Sequence, residues 1–149
     1  MTLKQKAHQY YFESITNKIT IQLTTLADLN YSAANETKSI AGDKHETALA
    51  MLQIEQSHVG KKLEELKFQL LELNQIDKYK ANKTIALGSL IKTNEGYFYL
   101  SAALGKTVLD NVNIIALSVR SPLGNLLMGK KLGEQVGFNN TIYIIEELF

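Results

Sequence analysis

The feature that most limits what this chain can become is a run of apolar residues at alternating spacings of three and four. Leu49, Leu52, Val59, Leu63, Leu66, Leu70 and Leu73 follow this rule, and only Gln56 interrupts them. Such spacing predicts a helix with one narrow apolar stripe, which is the seam of a coiled coil and not the broader face of a globular helix. A partner seam precedes it in Phe12, Ile15, Ile19, Leu26, Leu29, Ala33 and Ile40, with Gln22 and Glu36 as polar members. Between the two lies Ile40-Ala41-Gly42-Asp43, where Gly42 suits a left-handed helix end and Asp43 an N-cap. The expectation is an antiparallel helical hairpin with Asp43 at its turn. Its second helix, Lys44 to Asn74, should run about 46 Å at roughly 1.5 Å per residue. A rod with so little core is suited to reaching into a narrow space.

The rest of the chain obeys a different period. Residues 1–77 hold two glycines and no proline, whereas residues 78–149 hold the other seven glycines and the single proline. That shift predicts two modules, a helical hairpin over 1–77 and a strand-and-turn module over 78–149. Thr84 to Lys92 and Tyr97 to Ser101 are β-prone runs about the turn Thr93-Asn94-Glu95-Gly96, and Asn113 to Val119 is a third candidate strand. Ser121-Pro122 opens a short helix, with Ser as cap and Pro in the first helical position, that should stop at Gly129. Val136 to Asn139 and Thr141 to Glu147 should pair across Asn139-Asn140, residues that tolerate the positive φ of a tight hairpin. The fold class expected is therefore α+β: a helical hairpin followed by a small sheet carrying one short helix.

Composition removes several function classes. Sixteen basic residues against fifteen acidic ones leave no strong field to draw the whole molecule onto nucleic acid or a membrane. The absence of cysteine excludes a disulfide framework and a thiol nucleophile. No apolar run approaches the roughly 18 residues of a membrane span, and the N-terminus has no signal-peptide pattern, so a soluble, cytoplasmic protein is expected. Gly-rich phosphate loops, zinc-ligand spacings and nucleophile elbows are also missing.

The residues left with chemistry to offer are few. Asp43 and Glu46, three apart at a helix start, direct two carboxylates to one end of the rod, although the same spacing also makes a reciprocal capping box. Two carboxylates are too few to hold Mg²⁺ tightly alone, but they could share an ion with another protein. His45 lies between them and reads as a solvated tip residue or a phosphate contact. Tyr10, Tyr11 and Phe12 read as filling for the junction between modules. Ser121 has no His or Asp placed to activate it and reads as a cap, and Lys130-Lys131 reads as a wet turn.

Two segments are similar to a known family. Ser118 to Val136, with its Ser-Pro, short helix and Gly-Lys order, resembles the C-terminal signature of the Gre family of bacterial transcript-cleavage factors. Gly42-Asp43-Lys44-His45-Glu46 resembles the family's Gly-Asp-x-x-Glu tip, and Ile76-Asp77 stands at the corresponding linker. The resemblance extends over most of residues 33–149. It departs at Thr47, where the family usually has Asn, in Met1 to Lys18, and between the second and third expected strands.

The resemblance implies an FKBP-like C-terminal domain and a hairpin that enters the secondary channel of RNA polymerase. Ser121, Pro122 and Leu123 would contribute to polymerase binding. Asp43 and Glu46 would share a catalytic Mg²⁺ with the polymerase's own carboxylates, beside the 3′ end of backtracked RNA. The protein would then stimulate the polymerase active site and would not be an autonomous enzyme. A non-cleaving channel regulator of the same shape and an unrelated coiled-coil adaptor are the alternatives.

Overall fold

The computed structural model describes residues 1–37 and 43–149, the side chains of Thr37 and Asp43 excepted. Two compact units result, one made of Met1–Glu13 with Leu71–Phe149 and the other of Ser14–Leu70. The elements are α1 (Leu3–Thr37), α2 (Asp43–Asn74), β1 (Leu90–Thr93), β2 (Gly96–Ser101), β3 (Gly105–Leu109), β4 (Val112–Ser118), α3 (Pro122–Leu127), β5 (Gln135–Phe138) and β6 (Thr141–Leu148). This is the expected α+β class, a long helical hairpin followed by a six-stranded sheet with one short helix.

α1 is opened by a capping box that the sequence reading overlooked. The Gln5 amide donates to Thr2 Oγ1 and the Thr2 amide to Gln5 Oε1, each at 3.2 Å. These two bonds satisfy donors that a helix start otherwise leaves to water. In the hairpin unit, cross-helix partners close in number toward the turn: Asn30 bonds Gln56, 26 residues on, and Glu36 bonds His45, nine residues on. That convergence is antiparallel pairing. Leu63 and Leu66 are buried, and Leu49, Leu52, Val59 and Leu70 are half-buried, while their neighbours on α2's outer face are exposed. The α2 seam is thus as expected. The connection that holds Ile40, Ala41 and Gly42 lies outside the described residues.

On α1 one expected seam member is displaced. Phe12 is 38% exposed and Tyr11 takes the inner position at 1%. The inward residues here, Ala7, Tyr11 and Ile15, follow one another at intervals of four. Extending the three-four alternation backwards from Ile15 therefore lands one residue late. Tyr11 is drawn in because it packs on the sheet, where its hydroxyl donates to the Gly105 carbonyl.

The sheet runs β3-β4-β2-β1-β6-β5, with β2 and β4 parallel and every other pair antiparallel. Parallel neighbours cannot be joined by a tight turn, and here β3 makes the return. The chain leaves β2, runs out along the sheet edge as β3, turns at Asp110-Asn111 with φ of 49° and 62°, and comes back as β4. The sequence reading missed β3. Of the run Thr84 to Lys92 only its last residues are strand: Gly88 has φ of +91°, and Thr84 makes an isolated bridge to Lys131. The closing hairpin turns on Asn139 and Asn140, both at positive φ, as expected.

Alternate residues of β2 serve two cores. Phe98 and Leu100 join Ile85, Ile91, Leu123, Leu127, Val136 and Ile145 in a cluster that includes the inner side of α3. Tyr99 points the other way, as the pleat requires. Its ring stacks on Tyr11 at 6.3 Å, and its hydroxyl meets His8 Nδ1 at 2.7 Å. Tyr11 also donates to the Gly105 carbonyl at 2.8 Å. With both faces covered, β2 is buried at Phe98, Tyr99, Leu100 and Ser101 and shows no polar alternation.

The His8–Tyr99 contact carries a pH dependence. Burial, and then the positive charges of Lys78 and Lys4, hold the His8 imidazole below its usual 6.5. Burial raises the Tyr99 phenol, so the phenol keeps its proton and shares a hydrogen bond with the His8 ring nitrogen. A base whose pKa falls on folding binds more protons in the unfolded chain, so stability is complete above about 6.5 and declines as pH falls toward the folded-state pKa. Thermal melts between neutral and mildly acidic pH should show a loss whose slope from this one group is at most about 1.4 kcal/mol per pH unit. In His8→Gln that slope should flatten, and an unchanged slope would assign the effect elsewhere.

Candidate functional site

The start of α2 carries the expected tip residues. Helical backbone begins at Asp43, and the side chain of Glu46, one turn on, is exposed. The capping box expected between Asp43 and Glu46 involves an Asp43 side chain outside the described residues. His45 is not a free tip residue. Its Nδ1 lies 2.8 Å from Glu36 Oε2 on the last turn of α1, and its side chain is only 13% exposed.

Sequence reasoning did not find this pair, although each member stands at a seam position of its own helix. Glu36 had been assigned to the α1 seam, and His45 stands four residues before Leu49, where the α2 seam would continue. The interruption at Gln56 has the same explanation, since its side-chain amide donates to Asn30 Oδ1 at 2.8 Å.

Chemically, the tip offers hard carboxylate oxygens, which suit Mg²⁺ and not a soft metal. Among the described residues no group of three metal-ligating side chains occurs. The Glu36 carboxylate is already engaged with His45. The exposed Glu46 carboxylate is the donor type that suits a divalent cation.

Ser121, Pro122 and Leu123 belong to the sheet unit. Ser121 is the N-cap of α3: its Oγ donates to the Ser118 carbonyl at 2.6 Å and accepts from the Gly124 amide at 3.1 Å. Pro122 is exposed in the first helical position, and Leu123 is buried in the core cluster. A hydroxyl bonded in this way is a structural cap and no nucleophile. Leu123 can affect a partner only by seating α3, whereas Pro122 is open to contact.

Two ion pairs hold the helix ends to the sheet within this unit, Arg120 to Glu72 at 3.1 Å and Lys6 to Asp110 at 2.8 Å. Beside the start of α1 lies a cleft of about 290 Å³ lined by Leu3, Lys4, Lys78, Tyr79, Leu148 and Phe149 among others. Its charged side chains are all lysines. No described helix is long and apolar enough to cross a membrane.

No family profile and no curated protein matches this chain. Among solved structures it is similar to that of the transcription factor Gfh1, at 13% identity and a TM-score of 0.37 over 92% of each chain. Likeness of that degree carries no argument about what this chain does.

Proposed function

We propose that this protein enters the secondary channel of RNA polymerase and stimulates cleavage of backtracked RNA. The observation that carries the reading is the first turn of α2, where Glu46 is exposed beside Asp43 at the closed end of an antiparallel hairpin. The resemblance of the Gly42 to Glu46 segment and of the Ser118 to Val136 segment to the Gre family supports it.

A Mg²⁺ shared with the polymerase would supply Lewis-acid stabilisation of the phosphodiester and a more acidic water. The role of this chain's residues is narrower. Asp43 and Glu46 add negative charge and oxygen donors to a site completed by the polymerase and the RNA. Ser121 and Leu123 hold α3 in place, and Pro122 is the residue of that segment presented to the polymerase. Because the tip supplies only part of a ligand shell, the protein acts as a stimulator of the polymerase active site and not as an enzyme by itself. Its place of action would be the cytoplasm, with the polymerase.

Addition of the full chain to stalled, backtracked elongation complexes of its cognate polymerase should release short 3′ RNA fragments and restore elongation. Binding to the polymerase without fragment release would leave the non-cleaving channel regulator, the reading favoured by Thr47 where the family usually has Asn. Absence of binding would remove both and leave the adaptor.

A further inference from the structure

The Glu36–His45 pair spans the two helix ends on either side of the tip connection. We infer that this pair is a positioning device, which sets the rotation of the first turn of α2 so that Glu46 stands off the seam in solvent. The inference rests on the proposed function for its consequence in cleavage, though not for its geometry.

Helix periodicity supplies the reason. Each residue advances about 100° around the axis, so position 46 stands about 100° from His45 and position 43 about 160° from it on the same side. Leu49 and Leu52 fall within about 40° of His45, which makes His45 the last layer of the α2 seam. Anchoring that layer to α1 therefore fixes the turn of helix from which Glu46 projects. Glu46 is exposed and His45 half-buried, as this rotation requires. The layer is polar where every α2 seam position from Val59 to Leu73 is apolar, and a polar seam layer is a known means of fixing register at some cost in stability. An apolar pair would bury as well but would tolerate rotation and slip. Glu36 thus serves the tip as the anchor of His45, and His45 acts on the tip through the backbone it holds.

The test uses the full chain carrying Glu36→Ala, His45→Ala or Glu36→Gln. The glutamine retains an oxygen that accepts from the imidazole N–H but has no charge. In the free protein, amide exchange at Glu46 to Ala50 should speed up in both alanine variants and stay near wild type in Glu36→Gln. On backtracked complexes the alanine variants should lose at least about tenfold in cleavage rate, as misplacement of catalytic groups by a fraction of an ångström does, while competition binding to polymerase is retained. Glu36→Gln should remain within about twofold of wild type, since it keeps that placement. Alanine variants that cleave and exchange like wild type would overturn the inference alone. A Glu36→Gln loss as large as that of Glu36→Ala would also overturn it, by showing that charge and not the tie matters. A wild type that never stimulates cleavage removes the functional reading alone, and the exchange comparison in the free protein then decides this inference.

Discussion

Asp43→Asn and Glu46→Gln are each expected to fold, to bind polymerase as wild type does, and to lose on the order of 10²-fold in stimulated cleavage, the usual cost of removing one electrostatic stabiliser from an active site. The two substitutions separate capping from catalysis because the roles make opposite demands. Asparagine is as good an N-cap as aspartate, so a purely structural Asp43 predicts little change in melting temperature and none in cleavage. Glutamine likewise serves in a capping box. A shared cation, by contrast, needs the formal charge that both changes remove, and raising Mg²⁺ should recover part of the loss. Equal cleavage by wild type and both variants would reduce the carboxylates to caps.

Gly124→Ala should destabilise the sheet unit by about 3 kcal/mol or more, the upper range for forcing an atom into occupied space. Helix propensity alone predicts the reverse, since replacing glycine by alanine inside a helix ordinarily gains roughly 1 kcal/mol. Space decides the sign. A Cβ at this position would stand 2.1 Å from the Ser118 carbonyl oxygen and 2.8 Å from Ser121 Oγ. The carbonyl cannot retreat easily, because it ends β4 and accepts from both the Ser121 hydroxyl and the Ser121 amide. Relief would require lifting the first turn of α3, which would draw Leu123 and Leu127 out of the core cluster. Denaturant unfolding measures the difference directly, and a neutral or stabilised variant would mean that the close approach of α3 to β4 does not exist in solution.

What could be read in the sequence was whatever leaves a period or a special dihedral behind. The α2 seam, the Ser121 cap and the Asn139-Asn140 hairpin each did, and each was found. β3 left no period, and the one signal beside it, the Asp110-Asn111 turn at positive φ, was passed over. It is an edge strand whose Lys106 and Val108 are exposed while Thr107 and Leu109 are half-buried, so one polar and one apolar residue face each way. Tyr11 and Phe12 are adjacent aromatics, and choosing between them needed the local departure from heptad spacing that only the buried positions reveal. At the tip, the acidic spacing was legible, whereas the Glu36–His45 tie was not, because a bond between helices depends on the register in which two seams meet. That register is a property of the folded pair and not of either helix.

The polar layers in the hairpin also turn it into a gauge of length. Asn30–Gln56 and Glu36–His45 sit at separate levels of the paired helices, and sliding one helix by a heptad would break both bonds in the same movement. Adding seven residues to each helix below Asn30 and Gln56 would preserve both layers and carry the tip roughly 10 Å farther, at about 1.5 Å per residue. Adding them to one helix alone would not. Evolution or design can therefore alter the reach of such a hairpin only in matched increments, and depth of penetration becomes a quantised trait.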